Sequence, residues 1–179
     1  PEPAVLLLDE PFSNLDIHTR AHLAAELREL LKATDTTALL VTHDQAEAFA
    51  MADAIGVMDG GRICQWGDAR SLYQAPADRF VAGFIGRGAL VPAAVLGLAG
   101  EGDVLLRPEH LRLDPAGPIR ARLSGRAFRG PGAVGELVLA GGERVLVDLP
   151  PEEAAAGTAA GGNRVAALSC GLSHASGHR

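Results

Sequence analysis

The run Ala4-Val5-Leu6-Leu7-Leu8 is apolar throughout and ends without transition in Asp9-Glu10-Pro11. Such a run predicts a strand covered on both faces. A second run, Thr37-Ala38-Leu39-Leu40-Val41-Thr42, ends at His43. Between them, Asp16 is placed to cap a helix in which Ile17, Ala21, Ala24, Leu27 and Leu31 recur at helical spacing. Strand, helix and strand in that order predict a parallel sheet with a right-handed crossover. In such sheets ligands sit beyond the carboxyl ends of the strands. Asp9, Glu10 and His43 are delivered to that edge.

Further along, Asp44 with Glu47 three residues later reads as a capping box for a short helix. Ile55-Gly56-Val57-Met58 and Arg62-Ile63-Cys64-Gln65-Trp66 flank Asp59-Gly60-Gly61 as a hairpin. Helical pieces follow at about 68–74 and 77–85. After residue 87 the texture changes. Residues 1–87 hold 7 Lys+Arg, 13 Asp+Glu and 6 glycines, whereas residues 88–179 hold 9, 9 and 16. The second half therefore reads as short strands joined by glycine turns. Ile119, Ala121 and Leu123 alternate with Arg120, Arg122 and Ser124 as a half-buried strand. Glu136–Ala140 and Glu143–Leu149 flank Gly141-Gly142 as a hairpin, and 164–168 reads as a closing strand. The Ala/Gly-rich stretch 153–162 reads as a loop. The predicted domains are 1–87 and 88–179, with the boundary near Gly86-Arg87-Gly88.

Composition excludes several classes. No window reaches the ~18 uninterrupted apolar residues of a membrane helix, and no basic-then-apolar leader opens the sequence. The opening Pro1-Glu2-Pro3 lacks methionine, so the chain is expected to be a fragment or a processed product. Cys64 and Cys170 are too few for a disulfide framework or a four-ligand zinc site, and a reducing compartment is the simplest reading. The net charge of −6 argues against nucleic acid. His18 and His22, four apart, read as a solvated helix face. Glu109-His110 reads as a turn pair, Cys64 as a core residue, and His174 and His178 as parts of a polar tail.

Two adjacent carboxylates ending a buried strand need compensation, which a magnesium nucleotide would supply; the alternative is that Asp9 and Glu10 simply begin a turn before Pro11. One carboxylate suits the metal shell and the other suits orienting or deprotonating water, while His43 suits a hydrogen bond to a terminal phosphate. The string Leu6-Leu7-Leu8-Asp9-Glu10-Pro11-Phe12-Ser13-Asn14-Leu15-Asp16, followed by Val41-Thr42-His43-Asp44-Gln45-Ala46-Glu47-Ala48, resembles the ATP-binding subunits of ABC transporters. The first part is similar to their Walker B motif and D-loop, the second to their switch-histidine loop. The resemblance implies ATP and Mg²⁺ as cofactors, with Asp9 supporting Mg²⁺ directly or through water. It implies Glu10 as the catalytic carboxylate and His43 as the contact to the γ-phosphate. Ser13, Asn14 and Asp16 fall in the D-loop, which lies across the family's dimer interface. Gln45 and Glu47 belong to the helix start and are given no chemistry. The fold it implies is a truncated P-loop NTPase parallel sheet with helices, followed by a small β-rich OB-like domain of the TOBE type.

The 179 residues contain no Gly-x-x-x-x-Gly-Lys-Ser/Thr loop. The single lysine, Lys32, sits in the first predicted helix, and the family's Q-loop and signature sequence are also missing. The chain is thus similar to the C-terminal half of such a subunit. By itself it is expected to bind ATP weakly and to hydrolyse none. In the family the phosphate-loop strand lies beside the strand leading into the switch histidine, so Thr37–Thr42 is expected to keep an unpaired edge that invites association.

Phe49-Ala50-Met51-Ala52-Asp53, Gln65-Trp66-Gly67 and Leu72–Gly86 are similar to importer ATPases with a C-terminal extension, the ferric-iron branch above all. Arg107-Pro108-Glu109 resembles a segment of their regulatory domain. The implied partners are membrane permease subunits and a second copy of the ATPase subunit, with no nucleic acid. The implied location is peripheral, on the cytoplasmic face of the inner membrane. The alternative is that the meaningful unit is the regulatory and dimerisation domain of a polyamine, sulfate, phosphonate or sugar importer.

Overall fold

The computed structural model describes residues 3–152 and the backbone of 164–170. The predicted loop at 153–162, the side chain of Cys170, and His174 and His178 lie outside the described residues. The chain divides into two compact units, Pro1–Ala77 and Asp78–Arg179.

In the first unit, β1 (Val5–Asp9) pairs in parallel with β2 (Thr37–Val41), with Leu7 opposite Leu39 and Asp9 opposite Val41. The crossover is α1 (Ile17–Ala33). The Asp16 carboxylate accepts from the backbone N–H groups of His18 and Thr19, at 3.1 and 3.0 Å. Phe12, Ala24 and Met51 form the buried centre, with Leu23, Leu27, Leu31 and Leu40 packed against it. α2 (Gln45–Met51) closes this cluster. Arg28 of α1 bonds the Met51 carbonyl and Asp53, and Lys32 donates to Asp53 at 2.7 Å. The one lysine of the sequence is therefore engaged in an exposed ion pair on the first helix.

The two strands are not covered on both faces as their sequence predicts. Leu6 and Leu8 turn toward the helices, whereas Val5, Leu7, Leu39 and Val41 are 50%, 70%, 52% and 54% exposed. Helices lie against only one face among the described residues. Among the described residues each strand also pairs along only one edge, in line with the open edge expected of Thr37–Thr42.

β3 (Ile55–Asp59) and β4 (Arg62–Gly67) form the predicted hairpin, with a bulge after Val57. Gly56 faces Trp66 across the ladder, and the indole lies where a Cβ on Gly56 would stand. A side chain at position 56 would lift the ring off the sheet. α3 (Ala69–Gln74) follows, its first turn capped by Asp68.

The second unit begins with α4 (Arg79–Phe84), capped by Asp78, which accepts from the Val81 N–H at 2.8 Å. β5 (Ala89–Pro92) pairs antiparallel with β6 (Asp103–Leu106). A larger antiparallel sheet has the order β10-β9-β8-β11-β7. Its members are β7 (Leu111–Leu113), β8 (Ile119–Phe128), β9 (Ala133–Leu139), β10 (Arg144–Leu149) and β11 (Arg164–Cys170). The predicted closing strand, β11, thus lies between β8 and β7. Strict alternation in β9 and β10 sends Leu137, Leu139, Val145, Val147 and Leu149 inward, where they join Val91, Leu96, Leu106 and Leu111 in one apolar core.

Arg107 is only 1% exposed. Its guanidinium donates to the carbonyls of Ala82, at 2.9 Å, and Ile85. These carbonyls end α4, where helical partners run out. The charge complements the negative end of the helix, while burial pulls the guanidinium pKa down. A Cβ on Gly88 would collide with that guanidinium, so the glycine is required by the close approach.

Candidate functional site

At the carboxyl end of the β1–β2 sheet, Glu10 donates its backbone N–H to the Val41 carbonyl at 2.8 Å, extending the parallel ladder by one bond. Its φ is then +47°, a left-handed conformation that costs a residue with a Cβ roughly 1–2 kcal/mol. The turn it starts is tight, with the Ser13 N–H on the Glu10 carbonyl at 3.2 Å and Leu15 on Phe12 at 3.1 Å. Strained backbone held by its surroundings is characteristic of functional positions. Here the strain aims the carboxylate across the sheet. Glu10 Oε1 lies 2.7 Å from His43 Nδ1, joining residues thirty-three apart in sequence.

The imidazole is held protonated above its ordinary range. The largest cause is the hydrogen bond to Glu10, followed by the charge of the same carboxylate; desolvation opposes these, and the charges of Asp44 and Glu47 add to them. With Nδ1 engaged by Glu10, Nε2 is left to face an incoming group. Both side chains are accessible to solvent.

Asp9 stands one residue earlier, opposite Val41, on the exposed face that Leu7 shares. Among the described residues nothing hydrogen-bonds its carboxylate, and no group of three or more His, Cys, Asp or Glu is gathered for a metal. A lone exposed carboxylate suits Mg²⁺, which commonly takes one or two carboxylates and fills its shell with water and phosphate oxygens. Ser13 and Asn14 are exposed in the turn after Glu10. Asp16 is committed to capping α1, which holds its carboxyl below the usual range, the hydrogen bonds of Thr19 being the leading cause. The structure thus joins Glu10 with His43, places Asp9 next to Glu10 in sequence but on the exposed sheet face, and spends Asp16 on the helix.

The predicted capping box forms in altered guise. Asp44 accepts from the N–H groups of Ala46 and Glu47, at 2.8 and 3.3 Å. Glu47 does not reach back to the Asp44 N–H. The Thr42 hydroxyl takes that N–H at 3.0 Å and donates to Glu47 Oε2 at 2.6 Å. Glu47 is consequently buried, at 4% exposed. Its position in a helix start gave no sign of this. The partner that compensates it is Arg20 of α1, which bonds Asp44 Oδ2 at 2.7 Å, lies 3.4 Å from Glu47 Oε1, and donates to the Leu15 carbonyl at 3.1 Å. Arg20 is the residue that sequence reasoning missed. Its offset of four from the capping Asp16 was the one available signal, because that spacing carries it toward the turn N-terminal to the helix.

Elsewhere His22 pairs with Glu26 across one helical turn at 3.2 Å, a solvated face as expected of it. Two open cavities of about 470 and 280 Å³ lie in the second unit, both bordered by Arg87. Neither is lined by Asp9, Glu10 or His43.

Residues 104–167 match the TOBE domain family. Over 147 residues the chain is 43% identical to the Fe(3+) ions import ATP-binding protein FbpC of Streptomyces avermitilis, an alignment covering 73% of this chain and 43% of that protein. It is 41% identical over 152 residues to the uncharacterized ABC transporter ATP-binding protein YdcT of Escherichia coli, covering 82% and 44%. The sn-glycerol-3-phosphate import ATP-binding protein UgpC of Rhizobium meliloti is 40% identical over 155 residues, covering 79% and 43%. This chain is a homologue of ABC importer ATP-binding subunits. It spans less than half the length of these relatives. Its parallel strand pair followed by an antiparallel TOBE sheet agrees with the fold that the motif resemblance implied. Among the described residues no helix is long and apolar enough to cross a membrane.

Proposed function

We propose that the chain supplies the hydrolytic edge and the regulatory domain of an ATP-driven importer subunit, residues 1–87 serving the first role and 88–179 the second. The 2.7 Å contact between Glu10 and His43 carries this reading. A carboxylate beside a protonated imidazole at the carboxyl end of a parallel sheet is suited to a terminal phosphate and its attacking water. Glu10 accepts from the water and orients it. His43 donates through its second ring nitrogen to a phosphate oxygen, and its raised pKa keeps that donor charged. Asp9 would hold Mg²⁺, directly or through water, and the ion would neutralise charge developing on the phosphates. Ser13 and Asn14 lie in the exposed turn proposed to meet a second copy of the subunit.

The cargo this reading favours is ferric iron, supported by the names of several relatives, the Fe(3+) ions import ATP-binding proteins FbpC of Streptomyces avermitilis and of Escherichia coli among them. A relative in Ruegeria pomeroyi is named for spermidine/putrescine import, and cargo choice rests with the permease and its binding protein. The proposed partners are permease subunits and a second copy of this subunit, with the chain peripheral on the cytoplasmic face. In the assembled transporter, Glu10→Gln is expected to lower the ATPase turnover number about a hundredfold or more with little change in KM. Unchanged turnover would sink the assignment. The 179 residues alone, which contain no phosphate-cradling loop, are expected to show no hydrolysis above that of Glu10→Gln.

A second reading makes the β-rich unit the meaningful part, as a regulatory and dimerisation module. The TOBE match and the unit's closed apolar core favour it. Stable dimerisation by residues 88–179 alone would support it.

A further inference from the structure

The side chains behind His43 form a closed circuit with the turn behind Glu10. From His43 it passes to Glu10 through the 2.7 Å contact. From Glu10 it follows the turn, whose N–H groups of Ser13 and Leu15 bond back to Glu10 and Phe12. From the Leu15 carbonyl it crosses to Arg20, then to Asp44 and Glu47. It returns through Thr42, which joins Glu47 to the Asp44 backbone on the two sides of His43. Arg20 joins the far end of the turn, at the Leu15 carbonyl, to the segment after the histidine, at Asp44, as Glu10 joins the near end to His43 itself.

We propose that Arg20 is a positioning residue that locks the 12–16 turn in register with the 42–47 segment, so that the turn and the His43 imidazole are set by one network. Three features separate this role from an ordinary surface ion pair. Its two hydrogen-bond acceptors come from separate places, the Asp44 carboxylate and the Leu15 backbone carbonyl, with the Glu47 carboxylate alongside as an ion pair. The planar guanidinium addresses them in fixed directions, which a lysine ammonium does not do. Glu47 is buried, so losing its cation leaves an uncompensated charge in the pocket that supports Thr42. Burial opposes ionisation of Asp44, yet the Arg20 hydrogen bond and the helix-start amides hold its carboxyl below the usual range. The significance for hydrolysis rests on the function proposed above: a displacement of the turn at a subunit boundary would reach the phosphate-facing histidine through Arg20.

The test reads one side of the circuit while the other is changed, in the 179-residue chain without nucleotide. Its result is therefore independent of whether the ATPase assignment holds. Asp44→Asn keeps a helix-capping oxygen and removes the charge that Arg20 bonds. Amide exchange followed by NMR is expected to quicken about tenfold at Ser13 and Leu15, with the interior of α1 around Ala24 unchanged. In an Arg20→Gln background the turn already exchanges quickly, and Asp44→Asn is expected to add nothing. Arg20→Lys is expected to restore only part of the protection, because one ammonium lacks the fork that addresses Asp44 and the Leu15 carbonyl together. Glu47→Gln keeps the Thr42 bond and supplies a second variant, with the same direction expected at Leu15. Unchanged exchange at Ser13 and Leu15 in Asp44→Asn would overturn the proposal. Equal effects of Asp44→Asn with and without Arg20 would overturn it too. So would equal acceleration in the turn, α1 and β2, the mark of a general stabiliser.

Discussion

The two units use the same apolar residue types to opposite ends. In the β-rich unit, Leu137 and Val147 have no exposure and each inward position of β9 and β10 meets another inward position. In the first unit, Val5, Leu7, Leu39 and Val41 lie on an open sheet face, while the buried centre is confined to the side that carries the helices. A parallel sheet ordinarily has both faces covered. The comparison teaches that apolar content states how much a segment is able to bury, and topology states how much of that burial is realised within the residues at hand.

The sharpest way to break the comparison is to replace one leucine in each region. Leu137→Ala is expected to lose about 2–5 kcal/mol, seen as faster exchange throughout β8, β9 and β10. Leu7→Lys is expected to change stability by less than about 0.5 kcal/mol, followed in urea by the fluorescence of the single tryptophan, Trp66. Equal losses would mean that the open face is packed in solution. The same Leu7→Lys chain is expected to scatter less light at high concentration, because apolar faces and unpaired edges promote association.

A smaller effect is expected at Gly88→Ala, about 1–3 kcal/mol, since the added methyl must displace the guanidinium of Arg107 from the carbonyls of Ala82 and Ile85. In an Arg107→Met background the methyl is expected to be tolerated, and a full penalty there would place the strain elsewhere.

The smallest effect concerns pH and belongs to the open unit. The folded pKa of His43 is raised, first by its hydrogen bond to Glu10. Stability from this pair is therefore complete below the ordinary imidazole value of 6.5 and is lost as pH climbs through the raised value. The urea midpoint of the wild type minus that of His43→Gln is expected to shrink across that window. A difference independent of pH would remove the pair as an electrostatic unit.

Much of this molecule was legible from local pattern. Asp16 and Asp44 cap helices as predicted, because capping depends on residues two or three positions away. The Asp59-Gly60-Gly61 hairpin and the alternation of β8 to β10 are local in the same sense. Glu10 and His43 were singled out by motif order, and their 2.7 Å contact became visible only through the β1–β2 register. The dual-sided burial predicted for β1 failed because periodicity records the capacity to be covered and not the covering layer.

The arginines show the division most plainly. The sequence contains 15 of them; nothing local singles out Arg107 as buried, and the offset of Arg20 from Asp16 does not by itself name Asp44 and Leu15 as its partners. Their roles follow from where α4 ends against β6 and where the Leu15 turn faces Asp44. The amino-acid order by itself determined the caps, the turns, the strand periods and the acids and imidazole that end the first two strands, since these depend on neighbours within a helical turn or a strand pair. Only the tertiary structure decided which charges lose their water and which partners compensate them, because desolvation depends on atoms brought together from distant parts of the chain.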